Sequence, residues 1–244
     1  MNEFEQYEEE LVAKVKDSAT EYDKAIEADM EREQRWKAKR IGKITSSMLP
    51  KLLDTNKNGT LKKAGIDYLL EIMHQRETGC GSEEVFAKAM TWGKAHEEEA
   101  LRYYSSMQPD IKSATYDFDE IVFVDDVLEG FGDSPDGCTD DHAVLCEIKC
   151  PYSGSEHLRN CGLEAYTENE QYYWQIIGHM IDPRVERCDF VSYDPRYTDG
   201  HPRKMKVIQV LRSDVLADIE KAKVKIAYFN ELIDEGNVQK IIKL

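Results

Sequence analysis

No stretch of this sequence approaches the roughly 18 consecutive apolar residues that a membrane-spanning helix needs, which argues against a chain embedded in a bilayer. The opening residues, MNEFEQYEEELVAK, are acidic where a secretory leader is basic and then apolar, so a cytoplasmic location is expected. Cysteine is sparse and unpatterned. The six, at positions 80, 138, 146, 150, 161 and 188, form no CxxC pair, which speaks against a zinc ribbon or disulfide scaffold and for reduced thiols. Internal repeats, low-complexity tracts and an obvious interdomain linker are missing as well, so one main domain is the expectation for 244 residues.

Positive charge is also short: 32 Lys and Arg stand against 48 Asp and Glu, a net charge of −16. That total disfavours a protein that coats itself in nucleic acid, because Lys and Arg supply most non-specific affinity for phosphate. Its distribution changes the picture. Residues 1 to 34 carry 4 Lys/Arg and 12 Asp/Glu, whereas residues 35 to 63 carry 9 Lys/Arg and one acid, Asp54. A basic block inside an acidic chain fits one side of a phosphate-binding groove, and it equally fits a solvated lysine-rich stretch.

The first third reads as helical. From Glu5 to about Lys39 there is no Gly or Pro, and Leu11, Val15, Tyr22, Ile26 and Met30 fall at helix-compatible spacings. Shorter helices are expected from Ile44 to Leu53, capped by Thr45 or Ser46, and from Lys63 to Gln75, with another from about Phe86 to Ser105. After Pro109 the character changes. IVFV (121 to 124), EGFGDSPDG (129 to 137) and AVLCEIK (143 to 149) read as strands joined by Gly/Asp turns. A helix from Asn169 to Ile181, strands at 188 to 194 and 204 to 211, and a closing helix from Ser213 to Glu235 follow. Ser213 is the expected N-cap of that last helix, with Leu216, Ile219, Ile226, Phe229 and Ile233 on its buried face.

The segment SPDG (134 to 137), nine residues, then Glu147-Ile148-Lys149 concentrates the chemistry. Strand alternation puts Val144, Cys146 and Ile148 on one face and Leu145, Glu147 and Lys149 on the other, so Glu147 and Lys149 point the same way. Asp136, at the end of the preceding strand, and Glu147 can then converge on a hard divalent cation, with the Ile148 carbonyl as a further oxygen. Lys149 beside them can orient or deprotonate a bound water and offset charge gathering on a phosphodiester. An exposed strand also alternates Asp, Glu and Lys as a salt-bridged face, so the string by itself leaves two readings open.

Further motifs extend the pattern in order: RIGKITSS (40 to 47), WGKAHEEEA (92 to 100), DSPDG (133 to 137), EIKCP (147 to 151), YYWQ (172 to 175) and SYDPR (192 to 196). This series resembles the bacteriophage lambda exonuclease and the YqaJ-type viral recombinases, within the PD-(D/E)xK nucleases, and runs from about Trp36 to the final helix. The resemblance implies an α/β fold with a restriction-endonuclease-like core, a central mixed sheet flanked by helices. It also implies a division into an acidic N-terminal helical extension, residues 1 to 35, and a nuclease domain, 36 to 244.

What the resemblance implies can be placed residue by residue. Asp136 and Glu147 map to metal ligands and Lys149 to the catalytic lysine. Glu97, in the WGK helix motif, maps to a second metal position, Gln175 to an orienting group at the active site, and Asp126 to a supporting acid, with Asp125 a competing match. Arg40, Ser47 and Ser134 match a pocket for a terminal 5′ phosphate, where a guanidinium fork and two hydroxyls suit a phosphate monoester. Lys37, Lys39 and Lys43 would grip neighbouring phosphates without reading sequence. The implied cofactor is Mg2+, with Mn2+ as substitute. The implied activity is 5′-to-3′ degradation of one strand at double-stranded DNA ends, leaving 3′ overhangs for a single-strand annealing partner, by a homotrimeric ring in a phage-infected bacterium.

Duller readings stand beside these. Glu97 lies in an acidic run that suits a solvated helix face, His96 reads as a packing or surface residue, Trp92 and Trp174 as core, and Gln175 as a buried hydrogen-bonder. Two other functions compete: a structure-specific or restriction-type endonuclease of the same fold, and an acidic DNA mimic that occupies a partner's DNA site.

Overall fold

The computed structural model describes residues 24, 27–28, 30–81, 88–113, 127–163 and 170–244. The expected strand at 121 to 124, and Asp126 with it, lie outside the described residues. The chain divides into two units, Met1–Ile41 and Gly42–Leu244. In the first, residues 30–40 are helical (α1), and ion pairs one turn apart, such as Lys37 with Glu33, lie along it.

In the second unit the order is β1 (Ile44–Thr45), a 3-10 turn (Ser46–Met48), α2 (Leu49–Leu53), α3 (Lys63–Thr78), α4 (Lys88–Met107), β2 (Lys112–Ser113), β3 (Phe131–Gly132), β4 (Gly137–Cys138), β5 (Val144–Lys149), α5 (Gly154–Gly162), α6 (Glu170–His179), β6 (Arg187–Tyr193), β7 (Met205–Leu211), a second 3-10 turn (Arg212–Asp214), α7 (Leu216–Asp234) and α8 (Val238–Ile242). Among the described residues five strands form one mixed sheet in the order β2-β4-β5-β6-β7. Only the β5–β6 pair is parallel, and α5 and α6 fill the crossover that a parallel pair requires. The short strands β1 and β3 pair separately, also in parallel. This is the expected α/β architecture, a mixed sheet flanked by helices.

Both faces of the sheet are buried, and strand alternation sorts its side chains between two cores. Leu145, Cys188, Phe190, Ile208 and Val210 face one way, onto Ile176 and Ile177 of α6, Leu69 and Ile72 of α3, and Ile219, Ile226 and Phe229 of α7. Cys146, Ile148, Val191 and Tyr193 face the other way, onto Ala100 and Tyr104 of α4. Burying each such aliphatic side chain contributes roughly 1.5–3 kcal/mol, so the central strands are held from both sides. All six cysteines are free thiols, and no helix among the described residues is long and apolar enough to cross a membrane.

Two helix starts differ from expectation. Thr45 belongs to β1, Ser46 opens a 3-10 turn, and neither caps α2; the Ser46 hydroxyl instead donates to Asp133 at 2.5 Å. Ser213 does not cap α7. Its hydroxyl bonds Asp214, while Arg212 reaches the carbonyls of Met180, Asp182 and Val185 and holds the chain in a 3-10 turn, so the helix begins at Leu216 after Val215. Leu216, expected on the buried face, is 53% exposed as a consequence.

Candidate active site

The register of the central hairpin builds the site. Gly137 lies opposite Cys146, so one further step along the antiparallel pair puts Asp136 beside Glu147. The Asp136 amide donates to the Cys146 carbonyl at 3.1 Å, and the Ile148 amide donates to Asp136 Oδ2 at 2.6 Å. Gly137 permits this close approach: a Cβ there would stand 2.8 Å from Cys146 Sγ and 2.9 Å from the Lys112 carbonyl.

Glu147 and Lys149 share one face, as alternation requires, and the Lys149 ammonium is paired with Glu147 Oε1. The same oxygen accepts from Gln175 Nε2 at 2.6 Å, and Oε2 lies 2.8 Å from His179 Nε2. Across the imidazole, His179 Nδ1 is 2.6 Å from Asp133 Oδ1. Gln175 and His179 are four residues apart on α6, hence neighbours on one helix face. A close seat brings that face down: a Cβ on Gly178 would stand 2.6 Å from Ser46 Cβ.

Electrostatics follow from this packing. His179 is fully buried, which alone would favour the neutral ring, yet with a carboxylate at each nitrogen both must donate, and its pKa is pushed up to about 10. Burial would raise Glu147, but Lys149 and His179 together hold it down at about 2. Burial would lower Lys149, but the charges of Glu147 and Asp136 hold its ammonium well above the ordinary lysine range. Asp133, His179, Glu147 and Lys149 thus form an alternating row of buried or half-buried charges.

Two carboxyls are left over. Asp136 is held well above its usual range by burial and by the charges of Glu147 and Glu97. Glu97, on α4, is exposed as a residue, yet the protein packed around its carboxyl and the charge of Glu147 raise its pKa. Among the described residues no three His, Cys, Asp or Glu side chains already stand in a coordinating arrangement. The donor set nevertheless fits a hard cation: carboxylate oxygens crowded against their mutual repulsion, with negative charge in excess of the two buried cations.

The other expected residues are distributed more widely. Lys37, Lys39 and Arg40 lie on α1 in the first unit, with the Arg40 guanidinium 4.3 Å from the Trp36 ring centre. Lys43, Ser47 and Ser134 belong to the second unit, where Ser47 is exposed and its hydroxyl lies 3.3 Å from that of Thr45. Trp92 and Trp174, expected in the core, are only partly buried: Trp92 packs beside His96 and Tyr152, and Trp174 carries Lys221 4.9 Å from its ring centre. His179 and Asp133 were not anticipated as partners of the site. Their signals are the four-residue interval from Gln175 and the first letter of DSPDG.

Comparison with known proteins bears on the fold and the family. An alkaline exonuclease from Laribacter hongkongensis shares the fold with a TM-score of 0.64 and 24% identity over 85% of this chain and 95% of its own. The same enzyme solved with dAMP gives a TM-score of 0.63 at 24% identity over the same shares. A phage-related exonuclease from Haemophilus somnus 129PT gives 0.56 at 17% identity over 80% of this chain and 96% of its own. No curated protein sequence matches. The model of the YqaJ-like viral recombinase domain matches residues 35–181, the span that holds Glu97, Asp136, Glu147, Lys149 and His179, and the chain therefore belongs to that family.

Proposed function

We propose that this chain is a magnesium-dependent deoxyribonuclease that degrades one strand of duplex DNA from a 5′ end and leaves a 3′ single strand for annealing-type recombination. The observation that carries this reading is the meeting of Asp136, Glu147 and Lys149 at one point of a hairpin, with the lysine held charged. Family membership and a fold shared with two exonucleases support it. One of those was solved with dAMP, the chemical form of a released nucleotide.

Each residue has a role that follows from its surroundings. Asp136, Glu147, Glu97 and the Ile148 carbonyl would hold the cation, which when bound supplies a more acidic water and a counter-charge for the phosphate. Gln175 and His179 fix the two Glu147 oxygens, so the carboxylate keeps its orientation without substrate. Lys149 stays protonated at neutral pH, which suits it to offsetting charge on the phosphate rather than taking a proton. Arg40, Ser47 and Ser134 would register the terminal 5′ phosphate, and Lys37, Lys39 and Lys43 would hold backbone phosphates nearby. Manganese substitutes for magnesium, and the working form is a ring of three copies acting in the cytoplasm with an annealing protein.

The test is a linear duplex labelled separately at its 5′ and 3′ ends, incubated with Mg2+ beside a covalently closed circle. Release of the 5′ label as mononucleotide, with the 3′ label retained and the circle intact, is expected. An opened circle would make the chain an endonuclease, and no magnesium-dependent release at all would end the proposal.

A further inference from the structure

One described surface feature has no part in the chemistry above. Trp92 on α4, Tyr152 three residues beyond Lys149, and Arg196 just after β6 come together as a platform. The Trp92 and Tyr152 ring centres are 5.7 Å apart and nearly perpendicular, and the Arg196 guanidinium lies 5.4 Å from the Trp92 ring centre. Arg196 is fixed on several sides: Nε and Nη2 each donate to an Asp194 oxygen at 2.7 Å, and Nη1 donates to the Tyr152 carbonyl at 3.3 Å. Yet the Arg196 side chain is 46% exposed and Tyr152 is 54% exposed.

The buried Asp194 carboxylate, 4% exposed, holds the inner edge of Arg196, and part of the guanidinium is left open to solvent. Among the described residues the buried Trp92 indole N–H has no acceptor, a cost that a tryptophan placed only for packing usually avoids. What the arrangement leaves open to solvent is the Tyr152 side chain beside a pre-set guanidinium with N–H groups to spare.

Its location narrows the occupant. Three residues span at most about 10 Å, so Tyr152 stands within that reach of Lys149 along the chain. Trp92 precedes Glu97 on the same helix by about 7.5 Å of rise. The platform therefore flanks the carboxylates within one to a few nucleotides of them. An aromatic face next to a guanidinium holds a nucleotide without reading its base, because every base offers a face to stack on.

We propose that Tyr152 and Arg196, backed by Trp92, hold a nucleotide adjacent to the scissile phosphate, Tyr152 stacking on its base and Arg196 contacting its phosphate. This deepens the nuclease reading and rests on it for the identity of the strand. The residues position substrate and take no part in the bond change, so the grip is tolerant of sequence and depends on there being a base.

Binding is the measurement, made in the Lys149→Ala chain so that cleavage is off. The probe is a 5′-phosphorylated duplex, intact or carrying an abasic residue at each nucleotide near the 5′ end in turn. Adding Tyr152→Ala is expected to weaken binding of the intact duplex about tenfold, as loss of one base–aromatic stack does. Tyr152→Phe should bind like the parent, and thermal melts should be unchanged. An abasic residue at one position should cost the parent a similar factor and cost the Tyr152→Ala chain nothing more. If the two losses multiply, if Tyr152→Ala binds as tightly as its parent, or if the parent binds no DNA, the platform is refuted. Base-dependent binding without nucleotide release by the unsubstituted chain would instead leave the platform standing and remove the nuclease reading.

Discussion

The Nε2 atom of His179 lies 2.8 Å from Oε2 of Glu147, and both side chains are withdrawn from solvent. This contact, with Asp133 on the far nitrogen, makes Glu147 a fixed carboxylate before any cation arrives. Removing one partner of a buried ion pair costs about 3–5 kcal/mol, so the pair carries a consequence for stability as well as for chemistry.

His179→Asn should lower the urea midpoint and cut DNA degradation about 10- to 100-fold, the usual range for a group that orients a ligand. The pH dependence has a definite sign. His179 has its pKa raised in the folded state to about 10, so its contribution is fully present below its unfolded value and is lost as pH rises through about 10. In EDTA the wild-type urea midpoint should therefore fall between neutral pH and pH 10, and the variant should lack most of that fall. Parallel pH profiles for the two proteins would contradict a charged His179.

Cation binding should expel protons. Burial and like charges raise Asp136 and Glu97, so a cation that displaces protons from them acidifies an unbuffered solution. Titrating Mg2+ into the protein with a pH indicator should show release, abolished in Asp136→Asn, and EDTA should stop DNA degradation. Proton uptake, or undiminished activity in EDTA, would separate these carboxyls from any metal.

Arg40→Ala should reduce the preference for 5′-phosphorylated over 5′-hydroxyl ends about tenfold, in line with the loss of a charge-assisted hydrogen bond to phosphate. Ser47→Ala and Ser134→Ala should act the same way with smaller effect. Equal degradation ratios for the two kinds of end across all three variants and wild type would remove the proposed role of these residues at the terminal phosphate.

Gly178→Val tests the seat of α6. The added Cβ meets Ser46 Cβ at 2.6 Å and Ser46 Cα at 2.9 Å, closer than real Cβ contacts, with Leu49 Cδ1 tight at 3.0 Å, so the helix must retreat. Overpacking of this kind costs about 1–3 kcal/mol. Activity should fall further than stability alone explains, because His179 and Gln175 retreat with the helix. A variant with wild-type melting and activity would show that the close approach is dispensable.

Much of the site can be read locally. Period-two alternation alone puts Glu147 and Lys149 on one side of β5, and the short turn at 139–143 between β4 and β5 brings Asp136 alongside, because short hairpins obey short-range rules. The helix starts are less legible. Ser46 and Ser213 have the composition of caps, and each spends its hydroxyl elsewhere, Ser46 on Asp133 across 87 residues and Ser213 on Asp214, because tertiary packing outbids a local preference.

The sequence by itself determined which segments alternate as strands and that Glu147 and Lys149 share a face, since those depend on backbone periodicity; the mixed α/β architecture was implied by the resemblance its ordered motifs carry. Only the tertiary structure decided that His179 and Asp133 complete the row of charges, that Glu97 of α4 comes near enough to Asp136 for its charge to be felt there, and that Trp92, Tyr152 and Arg196 meet at the surface. These contacts join residues far apart in the chain, and their distances follow from how helices seat on the sheet, which no local pattern records.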